Sequence, residues 1–361
     1  MFASIGWPET APRAPFATLS KALAMQPARE TASLHALVAQ FAAQRILVIG
    51  DLMLDEFIWG RVSRISPEAP VPVVEVTGES YYPGGAANVA RNVREFTPAA
   101  AVMGISGADA HGRRLLDLLA ASGSDTSAVQ QDPAVPTTVK TRIVARHQQV
   151  VRVDRERKGP LPAAQTEKAM RLLDSAIANI DAIVVADYGK GFLTQPLADY
   201  ICRAARAQGK ILAVDPHPHT SLRWRGATAV KPNRAEAFLA AGMPPSDPVN
   251  PVLADAPLLE AGRRLMETWE TGSLLITLGE QGMLLLEEGA PPYHTPTRAK
   301  EVFDVSGAGD TAIAVFTLGL AAGATPIQAA ELANRASGIV VGKLGTATAT
   351  AAELQAECAA P

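Results

Sequence analysis

Short apolar runs alternate with longer amphipathic segments along most of the chain, beginning near residue 45. Runs such as RILVIG (45–50) and DAIVVAD (181–187) are apolar at almost every position. Continuous apolar runs of this length are typical of strands buried on both faces of a parallel sheet, and the segments between them have helical spacing. The alternation predicts an α/β protein, a doubly wound α/β/α sandwich of three layers. The predicted strands are 45–50, 100–106, 181–187, 210–215, 227–230 and 273–279, and the predicted helices are 87–95, 111–122, 163–177, 195–207, 235–241, 259–269, 309–320 and 327–341.

Two segments, 57–76 and 138–154, break this alternation because they resemble half-exposed strands of a second, smaller sheet. In the later segment, apolar and basic side chains are predicted on opposite faces of the sheet. A small sheet that interrupts an α/β domain often acts as a lid over a site at the carboxyl ends of the strands. A solvated edge is the alternative explanation for the charges. One face has the mainly apolar positions Val139, Thr141, Ile143, Ala145, Val151 and Val153, and the other has the basic ones Lys140, Arg142, Arg146 and Arg152.

The start of the chain differs in composition from the rest. Residues 1–40 mix prolines with alanines and have helical spacing only at 33–43, so we expect an N-terminal extension there. The main domain is then expected at 41–354, with lid strands at about 57–83 and 136–154, and a tail at 355–361.

Composition excludes several classes of partner. The 33 Lys and Arg residues against 36 Asp and Glu give a net charge of −3, which provides no global basic field for nucleic acid or an anionic membrane. Only two cysteines are present, so a disulfide framework is not expected. We find no apolar run near the roughly 20 residues that span a bilayer, and no secretory signal pattern. We therefore expect a soluble, cytoplasmic protein without nucleic-acid or membrane partners.

A glycine-rich turn that ends in a carboxylate, DVSGAGDT (304–311), runs directly into the apolar helical stretch 312–320. Gly307, Ala308 and Gly309 let the backbone bring N–H groups close to an anion, and the positive end of the following helix points to the same place. Asp310 beside them can accept a proton from an alcohol, as phosphoryl transfer requires. A helix cap after a glycine turn is the alternative.

Carboxylates and glycines near the first strand form a second candidate set. Asp51 and Asp55 follow that strand, where an α/β sheet presents ligands, and carboxylates bind sugar hydroxyls well. Gly84 and Gly85 open a helix whose first turn contains Asn88, so the backbone there can approach a small polar ligand. Turn and cap chemistry is the alternative for both pairs.

The ends of three later strands offer candidate phosphate and nucleotide ligands. Lys190 lies between two glycines and can steady a phosphate, or it is an ordinary surface lysine on a turn. Asn233 and Glu236 have the spacing of a capping box, and their oxygens also suit a hydrated Mg²⁺. The turn at 277–282 is either a plain hairpin or open enough for a nucleotide to lie against its backbone.

Taken in order, these motifs resemble the ribokinase or PfkB family of sugar kinases over about residues 45–350. PGGAANVA (83–90) resembles its N-terminal glycine signature, KPNRAE (231–236) its Asn-x-x-Glu motif, and DVSGAGDT its C-terminal signature. The resemblance implies a ribokinase-like sandwich with a small β-sheet lid, ATP and Mg²⁺ as cofactors, and a sugar hydroxyl as acceptor.

Three further segments resemble the heptose 7-phosphate kinase branch of the family: GDLMLD (50–55), SRISPEAPVPVV (63–74) and VVGKLGTAT (340–348). This implies transfer to the anomeric hydroxyl of a heptose phosphate in lipopolysaccharide synthesis, by a homodimer built through the lid strands. Because the sequence ends at Pro361, where a fused nucleotidyltransferase would follow, we expect the stand-alone form. The alternatives are a related kinase for fructose, ribose or fructose phosphate, and a non-catalytic sensor of a sugar phosphate or nucleotide.

Carried over residue by residue, the resemblance implies that Asp310 is the base, with N–H groups of 307–309 facing the developing negative charge. It implies Mg²⁺ bound through water at Glu236, and a monovalent cation such as K⁺ at Asp304 and Ser306. For the acceptor's phosphate we choose Arg142 and Arg152, from the basic face and not from a motif. The nucleotide residues are Lys190, Lys231, Asn233, Arg234, Ala235, Glu236, Thr277, Gly279, Gly282, Asn334 and Gly338, and the sugar residues are Asp51, Asp55, Gly84, Gly85 and Asn88.

The chain departs from the branch at one position that concerns mechanism. Heptose kinases usually have Asp-Pro-Lys after the strand that here ends at Asp215, whereas this chain has His217 in place of the lysine. Many other members of the family have Lys-Pro-Asn one strand later, and Lys231 stands there. We therefore expect Lys231 to supply the missing cation.

Overall fold

The computed structural model describes residues 33–146, 148–157, 159–299, 301–343 and 345–359. Most of the expected N-terminal extension and the last two residues of the tail lie outside these ranges. The strands are β1 (Ile46–Gly50), β2 (Leu52–Ile65), β3 (Pro72–Gly85), β4 (Ala100–Gly107), β5 (Asp125–Asp132), β6 (Thr138–Ala145), β7 (Gln148–Arg155), β8 (Ala182–Ala186), β9 (Ile211–Asp215), β10 (Ala229–Val230), β11 (Ser273–Thr277), β12 (Met283–Glu287) and β13 (Tyr293–Thr295). The α-helices are α1 (Leu34–Ala39), α2 (Ala86–Arg94), α3 (Ala110–Ala121), α4 (Ala163–Ala176), α5 (Gln195–Ala207), α6 (Arg234–Ala240), α7 (Ala256–Trp269), α8 (Ala308–Ala321), α9 (Pro326–Val341) and α10 (Ala351–Ala359).

Nine strands form the large sheet, in the order β13-β12-β11-β10-β9-β8-β1-β4-β5. Pairing is parallel from β5 to β11, and β12 and β13 add an antiparallel edge. The five residues of β1 and of β8 are all buried, as expected for strands with helices on both faces. Short parallel strands of this kind place their carboxyl ends along one edge of the sheet.

Helices cover both faces of the large sheet and form two separate apolar clusters. One cluster joins α1, α2, α3, α8, α9 and α10 to one face, and the other joins α4, α5, α6 and α7 to the opposite face. Helix α8 is the most enclosed, with every residue from Thr311 to Gly319 buried. The expected three-layer α/β/α sandwich is therefore confirmed.

A four-stranded sheet in the order β3-β2-β6-β7 stands beside the large one. Strands β2 and β3 form a long antiparallel ribbon, β6 joins β2 in parallel, and β7 returns antiparallel to β6. The register pairs Arg142 with Arg152 and Lys140 with Asp154, so these side chains share one face. We call this four-stranded sheet the lid.

Three details differ from the sequence prediction. Helix α1 falls within the expected extension, yet Leu37 and Val38 are each 2% exposed and pack into the core. Arg146 lies in the β6–β7 turn with φ of 57°, so it does not belong to the basic face of the strands. Strand β5 was not predicted because its sequence, DTSAVQQD, is half-exposed and lacks an apolar run.

Within the described ranges, no helix combines the length and the apolarity required to cross a bilayer.

Candidate active site

The carboxyl ends of β1, β8, β9 and β10 and the N-terminus of α8 meet at one edge of the large sheet, below the lid. Each strand is followed by a polar residue: Asp51 after β1, Tyr188 close after β8, and Lys231 after β10. Strand β9 itself ends in Asp215. In a parallel sheet these positions are neighbours in space although they are far apart in sequence.

Asp310 lies in the first turn of α8 and is held by two side chains. Asn88 on α2 donates its amide to Oδ2 at 2.6 Å, and the Tyr188 hydroxyl donates to Oδ1. Burial raises the pKa of Asp310, while these two hydrogen bonds and the Lys231 charge oppose the rise. The carboxylate is thus desolvated but fixed in direction, as a general base requires.

The glycine turn before Asp310 has the expected geometry. Gly307 is the N-cap of α8 with φ of 81°, a conformation that glycine adopts at no steric cost. The N–H of Ala308 is directed to the Val305 carbonyl at 3.3 Å, whereas that of Gly309 lies in the first turn, where helical N–H groups have no intrahelical partner. Gly309 is therefore the stronger candidate donor to an anion.

Lys231 lies at this same helix end. Its side chain is 4% exposed, and Nζ is 3.0 Å from Oδ1 of Asp215. A β-carbon at Gly309 would lie 3.5 Å from that ammonium nitrogen. Burial raises the pKa of Asp215 to about 7, with Lys231 lowering it and Glu236 and Asp310 raising it. The buried Lys231 ammonium group therefore lies next to the N-terminus of α8.

Asp51 is 2% exposed and organises the loop after β8. Its Oδ2 accepts from the backbone N–H of Tyr188 at 2.9 Å and of Lys190 at 3.0 Å, and Oδ1 accepts from Phe192 at 3.1 Å. Burial raises its pKa, and these backbone hydrogen bonds act against the rise. These backbone contacts agree with the alternative of turn chemistry, and the expected contact of Asp51 with the sugar stays a prediction.

Asp55 and the glycine pair are packed together at the base of the lid. A β-carbon at Gly84 would lie 2.2 Å from Oδ2 of Asp55, and one at Gly85 would lie 2.6 Å from the Asp51 carbonyl oxygen. Asp55 is ion-paired with Arg142 across β2 and β6, and the Arg142 guanidinium also lies 5.3 Å from the Phe57 ring centroid. The glycines are thus required by protein contacts.

Asn88 is 1% exposed, and its Oδ1 has no hydrogen-bond partner among the described residues. Its backbone carbonyl accepts from Asn92, whose own Oδ1 accepts from the Thr311 hydroxyl at 2.7 Å. This chain of hydrogen bonds ties α2 to α8. It leaves a buried amide oxygen beside the Asp310 carboxylate that can accept from a ligand hydroxyl.

Two of the expected cations are held by neighbouring carboxylates. Arg152 on β7 is 50% exposed and contacts Asp154 at 2.9 Å, on the same face as Arg142. Lys190 contacts Glu156, just beyond β7, at 2.7 Å. Lys190 therefore connects the β8 loop to the lid.

The Asn-x-x-Glu motif forms a complete capping box at the start of α6. Asn233 accepts from the Glu236 N–H at 2.9 Å, and the Glu236 carboxylate accepts from the Asn233 N–H at 2.8 Å. Arg234 is directed away from this end, to Asp255 at 2.8 Å and to the carbonyls of Ser246 and Asp247. The Arg234 side chain thus holds the segment 246–255 against α6, and its role in nucleotide binding stays a prediction.

The candidate nucleotide turn is a hairpin with a 3₁₀ turn, Gly279–Gln281, between β11 and β12. Thr277 pairs with Asn233 in an isolated parallel bridge, which joins this turn to the capping box. A β-carbon at Gly279 would meet nothing within 4 Å, whereas one at Gly282 would lie 2.1 Å from the Thr295 carbonyl oxygen. Gly279 therefore borders open space, and Gly282 serves chain packing.

Two residues on α9 hold the neighbouring segment. Asn334 donates to the Thr295 hydroxyl at 2.9 Å and to the Pro296 carbonyl at 2.6 Å. A β-carbon at Gly338 would lie 3.0 Å from the Arg298 backbone. Both residues hold the segment 295–298 through contacts with its backbone and with the Thr295 hydroxyl, and their predicted contact with the nucleotide stays a prediction.

Near the start of α8, Asp304 accepts from the Ser306 N–H at 2.9 Å in a tight turn. Among the described residues, there is no cluster of three or more His, Cys, Asp or Glu side chains placed to hold a metal ion. Any cation here would rely on backbone and ligand oxygens as well.

Sequence reasoning missed two members of the site. Tyr188 belongs to the segment DYGKG (187–191), where the lysine alone was a predicted ligand, although an aromatic hydroxyl directly after a buried strand was a usable signal. His217 was noted in the sequence only because it stands where heptose kinases have a lysine, and it was not predicted to belong to the site. A β-carbon at Gly189 would lie 3.1 Å from its ring, and burial lowers the pKa of His217, with His219 and Lys190 acting in the same direction.

Comparison with known proteins agrees with this arrangement. A sequence model described as pfkB family carbohydrate kinase matches residues 43–353. The chain is 42% identical over 329 residues to "Bifunctional protein HldE" of Desulfatibacillum aliphaticivorans, covering 91% of this chain and 66% of that protein. It is 43% identical over 325 residues to the protein of the same name from Geobacter metallireducens, covering 90% and 65%. The chain thus spans slightly less than two thirds of the length of these relatives.

Solved structures share the fold at low sequence identity. Arabidopsis thaliana ribokinase complexed with ribose and ATP is 16% identical with a TM-score of 0.67, covering 87% of this chain and 98% of that one. Escherichia coli phosphofructokinase-2 in complex with potassium is 18% identical with a TM-score of 0.65, covering 88% and 98%. The likeness to these structures concerns the fold alone, whereas the family model covers most of the sequence. The chain belongs to the pfkB family of carbohydrate kinases.

Proposed function

We propose that this chain transfers the γ-phosphoryl group of ATP to the anomeric hydroxyl of D-glycero-β-D-manno-heptose 7-phosphate, giving the 1,7-bisphosphate. The observation that carries the kinase assignment is Asp310 at the N-terminus of α8, with the Lys231 ammonium group beside Gly309. The choice of sugar rests on the resemblance of segments 50–55, 63–74 and 340–348 to the heptose branch. The identity to the two HldE proteins is consistent with that choice.

In the proposed reaction Asp310 accepts the proton of the acceptor hydroxyl as its oxygen bonds to the γ-phosphorus. The bond to ADP breaks, and ADP leaves with the bridging oxygen. The N–H of Gly309 and the Lys231 ammonium face the charge that develops on the transferred group, because both lie at the helix end that precedes Asp310. Phosphoryl transfer needs positioned donors, a metal ion and a base, and no covalent intermediate with the protein.

The nucleotide is assigned to the open space beside Gly279 and the capping box. Gly279, with open space where its β-carbon would be, and the backbone at Asn233 and Ala235 border it. Glu236 uses only one carboxylate oxygen, Oε2, for the cap. It lies close enough to Asp215 to raise the pKa of that carboxyl. Carboxylate oxygens are the ligands that suit a hydrated Mg²⁺. The metal would neutralise phosphate charge when it is bound. K⁺ at Asp304 and Ser306 is a further part of the proposal.

The sugar is assigned to the space between Asp310 and the lid. The buried Oδ1 of Asn88 has no partner among the described residues, so a sugar hydroxyl donating to it would satisfy a desolvated group. Asp55 holds Arg142 over the same space, and Arg142 and Arg152 together are assigned to the 7-phosphate. Gly84, Gly85 and Asp51 keep these groups in place.

The decisive experiment is a coupled ADP-release assay with heptose 7-phosphate, fructose 6-phosphate, fructose and ribose. We expect a clear preference in kcat/KM for the phosphorylated heptose. Preference for fructose 6-phosphate, fructose or ribose would replace the heptose assignment by a related kinase. No turnover with any sugar, together with measurable binding of ATP or a sugar phosphate, would favour the sensor alternative.

We also propose a homodimer formed through the lid. The lid carries apolar side chains that are unusually exposed for a single chain, with Val151 at 45%, Val153 at 52% and Val76 at 57%. Light scattering of the purified protein and of a Val151→Lys, Val153→Lys variant tests this. A monomeric wild type would contradict it, as would a double variant that remains dimeric.

A further inference from the structure

Both oxygens of the Asp310 carboxylate are held by donors from different parts of the fold. The Asn88 amide comes from α2, and the Tyr188 hydroxyl comes from the loop after β8. Tyr188 is itself fixed, because its backbone N–H donates to Asp51 at 2.9 Å. The hydroxyl is therefore presented by a rigid loop and does not sample many directions.

The surroundings of Asp310 act on its charge in opposing directions. Lys231, beyond β10, favours the ionised carboxylate, whereas burial and the Asp55 carboxylate on β2 disfavour it. Asp215 on β9 is a further acidic neighbour, and the charge of Asp310 raises its pKa. With two acidic neighbours and one cation nearby, the hydrogen bonds from Tyr188 and Asn88 are needed to keep a desolvated carboxylate ionised.

We propose that Tyr188 is a positioning residue for the reaction: its hydroxyl holds Asp310 ionised and turned toward the acceptor hydroxyl. A carboxylate oxygen has two lone-pair directions, so Oδ1 can accept from Tyr188 and still face the sugar. The inference rests on the proposed role of Asp310 as the base, and it concerns a residue that acts through that base.

The test is the pH profile of kcat/KM for Tyr188→Phe, measured with the sugar that the substrate panel identifies. Loss of a hydrogen bond to the charged form raises the pKa of Asp310, so the acidic limb should move to higher pH by about one unit. At a pH below the limb this corresponds to a roughly tenfold loss of kcat/KM. The substrate phosphate titrates in the same region in both enzymes, so its contribution cancels in the comparison.

Tyr200→Phe is the matched control, because the Tyr200 hydroxyl also donates to an aspartate, Asp174, at 2.6 Å, but on the surface between α5 and α4. Its profile should coincide with the wild type. Replacement of Tyr188 by a fluorotyrosine, a stronger donor of the same shape, should move the limb to lower pH. The fluorotyrosine variant also tests the proposed role of Tyr188 if Tyr188→Phe does not fold.

An unmoved limb in folded Tyr188→Phe, with any loss of turnover equal at every pH, would show that Tyr188 serves packing only and would overturn the inference. An unmoved limb with fluorotyrosine would do the same. Asp310→Asn, assayed in parallel, separates the role of Tyr188 from the role of Asp310 as the base. If Asp310→Asn is inactive while the acidic limbs of the Tyr188 variants do not move, only the proposed role of Tyr188 fails. If it turns over like the wild type, the proposed function fails as well.

Discussion

At the residue scale, Asp310 is the group on which proposed catalysis depends most. Asp310→Asn keeps the size and the hydrogen bond to the Tyr188 hydroxyl but cannot take up the acceptor proton. We expect kcat to fall on the order of 10²-fold or more, while the Kd for ATP stays near the wild-type value. Single-turnover kinetics and calorimetric ATP titration measure the two quantities. Wild-type turnover in a preparation free of contaminating kinase would contradict the assignment.

Lys231 presents a second residue-scale question, because it is both a structural partner and a candidate catalytic cation. Lys231→Met leaves Asp215 buried without its cation, and breaking a buried pair typically costs about 3–5 kcal/mol. The double variant Lys231→Met, Asp215→Asn removes both charges and should recover most of that stability. It should not recover turnover, because the ammonium group proposed to face the transferred phosphoryl group would be absent.

Denaturant unfolding and steady-state kinetics of these two variants and the wild type separate the roles. We expect the denaturant midpoint of unfolding to be low in the single variant and to recover in the double variant. In both variants the KM for ATP should rise or kcat should fall. If kcat and the ATP KM are unchanged in both, Lys231 does not replace the lysine that His217 displaces, and its role is structural.

At the scale of elements, alanine substitutions of the glycines at the two ends of α8 test whether its first turn has a role beyond capping the helix. Gly307 precedes the helix with φ of 81°, and Gly323 follows it with φ of 85°. Alanine at either position adopts a left-handed conformation that costs roughly 1–2 kcal/mol. At Gly307 the new β-carbon would also lie 3.1 Å from the Asn88 amide nitrogen. We expect similar losses of stability from the two alanine variants, and a large loss of kcat from Gly307→Ala alone; equal activities would show that the turn acts only as a cap.

The lid gives a prediction about substrate recognition. Arg142→Met removes a guanidinium near Asp55, and Arg152→Met removes one that is 50% exposed. We expect each change to raise KM for heptose 7-phosphate at least tenfold, with the larger effect from Arg142, because a partly buried charge is screened less than an exposed one. The control substrate is heptose without its phosphate. An equal rise in KM for that sugar would show that the arginines do not bind the phosphate.

The elements also show where sequence reasoning succeeds. Apolar runs identified β1 and β8 because burial on both faces leaves a continuous apolar signal, and amphipathic segments identified helices α2 to α9 to within a few residues. The same method failed for β5 and for α10. A half-exposed edge strand has no continuous apolar run, and α10 (Ala351–Ala359) lies in an alanine-rich segment that crosses the expected end of the domain at residue 354.

At the scale of the whole molecule, the site was predictable as a set of motifs and not as a set of contacts. Asn88 and Asp310 are 222 positions apart and touch only because α2 and α8 pack on the same face. The Asn233–Glu236 cap is local and follows from the spacing of the motif. The contacts of Asp51 are not local, because the N–H groups from which it accepts lie 137 to 141 positions away and are placed by tertiary packing.

The crowding of carboxylates at the sheet edge also predicts how stability depends on pH. Burial raises the pKa of Asp187 to about 6 and that of Asp215 to about 7, against an unfolded value near 4. Between about pH 4 and 7 the folded protein therefore binds more protons through these groups than the unfolded chain, so their contribution lowers stability as pH rises. His217 has a lowered pKa and contributes the opposite slope below about pH 6.5, so variants must be compared with the wild type.

Asp187→Asn should remove part of the downward slope, because a neutral amide in that buried position has no proton to lose. The expected result is a smaller fall in Tm between pH 5 and pH 7.5 than in the wild type without ligand. Asp181→Asn is the matched control: its pKa is lowered by the hydrogen bonds and charge of Arg45, so its titration lies below this window. A wild-type slope in Asp187→Asn would mean that this carboxylate is ionised throughout the range. Neighbouring groups would then keep the carboxylates at this edge of the sheet ionised even without a bound cation.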